Sequence, residues 1–537
     1  MSLLTHTKAY FSTRATRRQI NREIRRMGKA VTKKAPDADE KQTILAFNAS
    51  TRITGLSLNA AFAMLTGWSL RMQGKKVINF VCHYGMSRCV MGTDRTDVYK
   101  VMPCQQCLAQ SSAIYHRSNV KKLIYAPNEE LAHLLQDTSL ARLRHFHYED
   151  LPLGDLCLPS MRWVLRRHHL QDDEPTRVLY RHYILSAYKV AMQFDWQVIT
   201  QSPIAVMVFN GMFFPEATAR WIARQRGVPV FSHEVGMRPY SVFFTEGEAT
   251  AYDVDIPDDF QLSPAQNQHL DEYLSKRFKG DFSMAGIQFW PEMSGLDEGL
   301  IEKMAAFKQV VPIFTNVIFD TSQPHANVIF DDMFTWLDKV LKVIKSHPET
   351  LFVIRAHPDE SRPGKASQES VAAWVQEADV AALPNVVFVG PDDYFSSYEM
   401  IQRAKFVMIY NSTIGMEAAI MGAPVLCAGK ARFTQLDTVF FPSDKTEYLN
   451  TLEAFLSAEE VSAPENHRVN ARRFLYYQFF RTSLPFDRYL EADGVWPGFV
   501  RLKDFEPEDL LPEHSPVMRV ISEGLLSGKA FLLPDDD

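Results

Sequence analysis

A chain of 537 residues with 46 % hydrophobic and 23 % charged side chains is ordinary globular material, long enough for two or three domains with cores of their own. No apolar run approaches the roughly 20 residues that cross a bilayer, and the opening MSLLTHTKAYF has neither the apolar core nor the cleavage site of a signal peptide, so a cytoplasmic protein is expected. The net charge of −6 hides an asymmetry: residues 1–34 hold ten Lys or Arg against one acid, Glu23, which leaves −15 on the rest of the chain.

Residues 1–40 read as a basic amphipathic arm and its linker, KKAPDADEKQ. Ile20, Ile24, Met27 and Val31 recur at helical spacing, and Arg17, Arg18, Arg22, Arg25, Arg26 and Lys29 fill the other faces. Two readings stand. The helix lies on an anionic membrane surface, which would make the protein peripheral on the inner face of the cytoplasmic membrane. Alternatively the same four apolar residues dock it on its own domain. No nucleic acid partner is expected, because the body of the chain shows neither an aromatic platform nor a basic face.

Residues 41–260 predict a Rossmann-like domain. TILAFN, GLSLNAAFAMLTGWSLRMQG and KKVINFVC run strand, helix, strand, which begins a βαβ unit. KLIYA and IAVMVFNG are further strands, residues 140–200 are mainly helical, and a helix from about Pro215 to Arg226 precedes the buried strand GVPVFSHE. Six cysteines in a cytosolic chain argue against disulfides. Cys82, Cys89, Cys104 and Cys107 cluster in sequence, ending in a C-x-x-C pair, so a structural zinc or iron–sulfur site, with His83 as an alternative ligand, competes with ligand-free thiols. In PVFSHEVGMRPY, His233 and Glu234 follow a buried strand. Glu234 is a candidate general base, since a carboxylate in a closed cleft can have its pKa raised toward working pH, and His233 is the next candidate. Asp253 and Asp255 form a D-x-D too short to be informative, and neither a catalytic metal nor a cofactor is expected.

Residues 261–300, richer in Pro, Gly and polar side chains, read as an interdomain connection. Over 301–490 buried strands alternate with amphipathic helices: VVPIFTNVIF, LFVIRAHP, NVVFVG, AKFVMIY and APVLCAG are the strands. The fold class is therefore α/β, two doubly wound Rossmann-like domains facing across a cleft. Residues 491–537 read as an irregular tail. In YNSTIGMEAAIMG, Asn411, Ser412 and Thr413 lie at a strand's carboxyl end just before a helix, where open α/β sheets bind ligands and where a phosphate is the natural occupant. Glu417, about one helical turn on, can accept hydrogen bonds from a ribose diol. Of two His-Pro dipeptides, only His357-Pro358 ends a strand. There His357 can donate to a phosphate or carry charge toward it, and Arg355 can add a bidentate contact. Thr315, Asn316 and Asp320 end another strand and could approach a phosphate or sugar. Each of these groups also has a plainer reading as a cap or turn.

The stretches IRAHPDE, NSTIGMEAAIMGAPVL, and FNG followed by RGVPVFSHEVG resemble bacterial capsule and surface-polysaccharide glycosyltransferases of the GT-B type. In pattern they are similar to the group with a His-Pro and a Ser motif, which includes capsular Kdo transferases, polysialyltransferases and, more distantly, teichoic-acid polymerases. The resemblance covers residues 310–430, thins over 200–250 and is absent from the arm and tail. It implies that His357, Pro358, Ser412 and Thr413 bind the donor phosphate, and that Glu417 is the ribose-binding Glu of many such donors' enzymes. An acidic pair followed by Gly serves as the base in some members, where this chain has His233-Glu234-Val235-Gly236. The implied activity moves a sugar from a nucleotide-activated donor to a growing glycan or its lipid-linked primer. A nucleotide-sugar epimerase, a polyol-phosphate transferase and an inactive scaffold of a polysaccharide-assembly complex are the alternatives.

Overall fold

The computed structural model describes residues 3–51, 53–278 and 294–535. Residues 279–293 of the expected connection, and the outermost residues of the arm and tail, lie outside the described residues.

Six strands build the first sheet: β1 (Asp39–Phe47), β2 (Lys75–Cys82), β3 (Asn119–Leu123), β4 (Ala205–Phe209), β5 (Val230–Val235) and β6 (Ser241–Glu246). A second sheet follows from β7 (Gln309–Phe314), β8 (Thr350–Arg355), β9 (Val386–Val389), β10 (Val407–Ile409) and β11 (Val425–Cys427). The chain then returns to the first sheet as β12 (Leu484–Pro485), which pairs antiparallel with β6, before a small hairpin of β13 (Leu490–Ala492) and β14 (Val500–Leu502). The first sheet runs β12-β6-β5-β4-β1-β2-β3, with β1 to β5 parallel, and the second runs β11-β10-β7-β8-β9, parallel throughout.

Helices cover both faces of each sheet, so β4 and β8 are buried along their whole length and read as unbroken apolar runs. Alternation along a strand splits the side chains between the two faces. Ile44 and Ala46 of β1 join one core while Leu45 and Phe47 join another, and Ile313 and Val311 of β7 part in the same way from Val310. The two doubly wound α/β domains expected from the sequence are thus present.

Two expectations are corrected. The basic arm is a helix, Leu3–Lys34, but Ile20, Ile24, Met27 and Val31 are buried in the first domain's core beside Phe62, Trp68 and Leu510. A stripe already covered by protein is not available to lipid, so of the two readings the docked helix holds. Its charges meet residues near the other end of the chain: Lys34 bridges Glu506 and Glu508, and Arg26 lies 3.8 Å from Asp504. The tail, for its part, is not irregular. After β14 the helix Pro516–Ser527 buries Val517, Met518, Ile521 and Leu525 in the same core. Among the described residues no helix is long and apolar enough to cross a membrane.

Candidate functional site

In the second sheet β7 is central with β8 and β10 on either side, so the loops leaving their carboxyl ends part and open a crevice. The cleft there has a volume of about 510 Å³, and its wall includes Thr315, Asn316, Asp320, Arg355, His357, Pro358, Asn411, Ser412, Thr413 and Glu417. The site residues read from the second half of the sequence are therefore brought together. Side chains tie the strand ends. Asn316 Nδ2 donates to Asn411 Oδ1 at 2.7 Å, and Thr315 Oγ1 donates to the Arg355 carbonyl at 3.0 Å.

His357 precedes the short turn Pro358–Glu360, and its Nδ1 accepts the Asp359 N–H at 3.1 Å. That contact leaves the proton of a neutral ring on Nε2. Burial lowers the pKa of His357, so near pH 7 it presents a neutral N–H donor rather than the positive charge that was the alternative expectation. Arg355, nine-tenths and more buried, donates through Nη1 to the Asp393 carbonyl at 3.1 Å. Burial brings its pKa down to about 10, which still leaves it charged at neutral pH. Thr413 stands at the start of the helix Ile414–Ile420, yet its side chain makes no capping bond. The capping reading fails for it, and its hydroxyl and that of Ser412 border the cleft.

Glu417 is buried, and its carboxylate is occupied. Oε1 takes Arg277 Nε at 2.8 Å and Nη2 at 2.5 Å, and Oε2 takes the Tyr398 hydroxyl at 2.5 Å. Arg277 lies near the end of the helix Pro264–Phe278, in the expected connection. Neither partner was foreseen, since nothing local to Glu417 announces an arginine 140 positions earlier.

The first sheet has its own switch point between β1 and β4. Asn210, in left-handed backbone with φ 60° beside Gly211 at φ 84°, turns back after β4. Its Nδ2 donates to Glu234 Oε2 at 2.8 Å, while Glu234 Oε1 accepts Asn59 Nδ2 at 3.1 Å and the Val235 N–H at 2.8 Å. Burial raises the pKa of Glu234, and these hydrogen bonds oppose the rise. Glu234 does not join the lining of the 510 Å³ cleft; the Asn210 amide that holds it also lies 3.4 Å from Thr321 Oγ1, next in sequence to the cleft residues Asp320 and Ser322. His233 is corrected: the strand's alternation turns it into the core, between Phe209 and Phe244, with Nε2 3.2 Å from Asn48 Oδ1. Burial pushes its pKa down to about 3, so it is neutral and away from the cleft.

Glu216 was missed. It is fully buried in the first turn of the helix Phe214–Gln225, its Oε1 accepts the Ser50 N–H at 2.6 Å, its Oε2 has no partner among the described residues, and burial raises its pKa to about 7. The dipeptide Pro215-Glu216 after a buried strand was the available signal.

The domains are stitched beside the cleft. His325 Nε2 lies 2.9 Å from Glu248, and His169 lies 2.6 Å from Glu369 and 3.4 Å from Asp332. His168, His169 and Asp332 form the one group of three potential metal-ligand side chains whose atoms lie within 4.8 Å of one another among the described residues. His168 Nε2 already faces Arg162 at 3.1 Å, and an arginine there disfavours a cation. The four clustered cysteines are free thiols. Cys82 and Cys89 accept the N–H of Gly85 and Gly92 at 3.4 and 3.2 Å, while Cys104 and Cys107 occupy the first turn of the helix Cys104–Ile114. The four thiols are near enough to act on one another electrostatically, although no three of their sulfurs lie within 4.8 Å of one another.

Fold and site together define a protein of two Rossmann-like domains, with a cation- and hydroxyl-lined cleft centred on the second and the carboxylates Glu216 and Glu234 after the strands of the first. Residues 299–436, which carry the His-Pro and Ser stretches, match the family described as capsule polysaccharide biosynthesis protein. This bears out the resemblance to capsule polysaccharide proteins over that stretch. Protein FixF of Sinorhizobium fredii is 28 % identical over 113 residues, 21 % of this chain and 24 % of its own, so the match spans about a quarter of that relative. Among solved structures, the chain is similar at 11 % identity to the Thermosulfurimonas dismutans KpsC beta Kdo 2,4 transferase, covering 52 % of this chain and 80 % of that one with a TM-score of 0.33. It is similar at 11 % identity to a Neisseria meningitidis UDP-GlcNAc 2-epimerase bound to UDP-GlcNAc, covering 81 % and 95 % with a TM-score of 0.24.

Proposed function

We propose that this protein is a GT-B glycosyltransferase of capsule or related surface-polysaccharide synthesis, moving a sugar from a nucleotide-activated donor to a growing glycan or its lipid-linked primer. The observation that carries the reading is the convergence of His357, Arg355, Ser412 and Thr413 on one cleft wall, inside the segment that matches the capsule family. Donors of this kind suit a diphosphate: two hydroxyls, a guanidinium and a neutral imidazole N–H meet negative charge as it grows on the leaving oxygen. Glu417, held by Arg277 and Tyr398, keeps lone pairs that can accept from a ribose.

Glu234 supplies the base. Because Glu234 lies outside the cleft lining, a small closure of the first domain's loops on the second accompanies acceptor binding. The test begins with a thermal-shift screen across UDP, GDP, CMP and CDP sugars, since a ligand that binds only the folded state raises its melting temperature. A hit is followed by transfer assays on surface-glycan acceptors. Stabilisation by no nucleotide sugar overturns the reading. The cysteines lie outside this chemistry, and elemental analysis of metal-replete protein separates zinc or an iron–sulfur chromophore from ligand-free thiols.

A further inference from the structure

The helix Leu153–Leu165 ends on Arg166, whose backbone is left-handed at φ 58°. Its side chain is 2 % exposed and lies at the seam of the two domains, its guanidinium carbon 4.2 Å from the Trp163 ring centroid and 4.7 Å from that of Phe319. The first ring belongs to the first domain and the second to the loop after β7. Its carbonyl also accepts the Gln368 N–H across the seam at 2.8 Å. Two rings satisfy the flat faces of a guanidinium but not its edge. Nε and Nη1 are buried with no hydrogen-bond partner among the described residues.

Nor does the charge enter a close ion pair among the described residues. Burial and the neighbouring Arg95 bring the pKa of Arg166 down only to about 9, so it remains a cation at neutral pH. Arg95 lies 5.8 Å from the same Trp163 ring and donates to the Gly364 carbonyl at 2.5 Å. Lys365 lines the cleft beside them. The acid that acts on Arg166 is Asp320, whose Oδ1 is already engaged by the Thr321 N–H at 2.7 Å. A buried, doubly stacked guanidinium with orphaned in-plane donors is arranged for a planar acceptor with two oxygens.

Arg166 is also the wall common to two cavities. One is the 510 Å³ cleft; the other, of about 500 Å³, is bordered by Arg95, Tyr99, Arg167 and Gln171 and holds none of the residues assigned to the donor phosphate. We propose that Arg166, assisted by Arg95 and Lys365, is a second anion site that receives the carboxylate or phosphate of an acidic sugar in the acceptor glycan. The glycan then runs along the second cavity toward the donor. The assignment to an acceptor rests on the transferase reading; the anion site itself does not.

The test uses the full chain with two probes in titration calorimetry: inorganic pyrophosphate for the donor end and tetragalacturonate, with its methyl ester as neutral control, for the acidic glycan. Wild type is expected to bind tetragalacturonate more tightly than the ester. Arg166→Gln is expected to weaken tetragalacturonate by roughly 10- to 100-fold, the scale of a lost charged contact, with pyrophosphate unchanged. The double variant Ser412→Ala, Thr413→Ala shows the reverse pattern. Without ligand, Arg166→Gln melts no lower than wild type, because an unpartnered buried charge has been removed. Should that variant fail to fold, Arg95→Gln, at an exposed position, is expected to weaken tetragalacturonate several-fold. Equal tetragalacturonate affinity in the arginine variants, or no preference of wild type for the acid over its ester, overturns the site. Loss of pyrophosphate in Arg166→Gln, with tetragalacturonate retained, gives the arginine to the donor and overturns the acceptor assignment. If no nucleotide sugar ever binds but the uronate result holds, the transferase reading falls and the anion site stands.

Discussion

The two sheets end alike and are furnished in opposite ways. Each reverses strand order near its middle and opens loops at the same edge, but the second presents Arg355, His357, Ser412 and Thr413 to an open cavity, whereas the first buries Glu216 fully and holds the half-buried Glu234 between Asn59 and Asn210. Even the unmatched atoms divide this way. Around the first edge Ser50 Oγ, Asn59 Oδ1, Glu216 Oε2 and His233 Nδ1 are buried without partners among the described residues. The lesson is that the shared topology sets where chemistry can occur, and the few residues after each strand decide whether that place welcomes an anion or withholds a proton acceptor.

The largest effect that would break the comparison is on Glu234. Glu234→Gln is expected to depress sugar transfer by roughly 10²- to 10⁴-fold while nucleotide affinity is kept. Because burial raises its pKa, the wild-type rate should fall on acidification at a pH above that of a free glutamate, and the variant should lack this limb. Near-full activity with an unaltered pH profile would empty the first edge of its role.

Glu216 tests the same burial through stability. The folded state raises its pKa from 4.5 to about 7, so the carboxyl binds its proton more tightly folded than unfolded. Its contribution is complete below about 4.5 and is lost as pH rises through 7, by up to about 3 kcal/mol. Glu216→Gln should therefore be more stable than wild type above pH 7 in urea titrations, with the gap closing toward pH 4. A gap that does not change with pH would show that the carboxyl is not held protonated.

At the second edge, His357→Ala removes an N–H donor from the leaving group. Nucleotide affinity and turnover should both fall, the latter by roughly 10²-fold. Since burial lowers the pKa of the ring, any loss of activity from charging it should set in at a pH below that of a free histidine, which rate profiles of the wild type would reveal.

The smallest effect expected is at Glu417. Glu417→Gln weakens the hold on Arg277 as well as any ribose contact, so nucleotide affinity and fold stability should each drop, by roughly 1 to 3 kcal/mol. Calorimetry showing unchanged affinity beside a lower melting temperature would make the residue purely a partner of Arg277.

Much of the second domain was legible because parallel strands covered on both faces must be apolar without interruption, as VVPIF and LFVIR are. Its site followed, since polar residues directly after such runs lie on one edge. The first domain was less legible. That Glu234 and His233 point opposite ways follows from strand alternation, but which of them faces the cleft depends on helices far away in sequence. The arm's apolar spacing was readable, yet its partners, such as Glu506 and Glu508 for Lys34, lie about 470 positions on. Arg166 gave no signal in sequence. Its meaning comes from two rings and two cavities that only the folded chain assembles.

The return of the chain to the first sheet bears on how the molecule is made. On a ribosome, the core that holds Ile24 and Trp68 cannot close until Leu484, Val500 and Met518 have been synthesised. The second domain's main core draws its own residues from positions 311–456 and is complete earlier. The first domain's other core, drawn from residues 45–230, is complete earlier still, so what waits with exposed apolar surface is one face of that domain, the state in which chaperone engagement and aggregation compete.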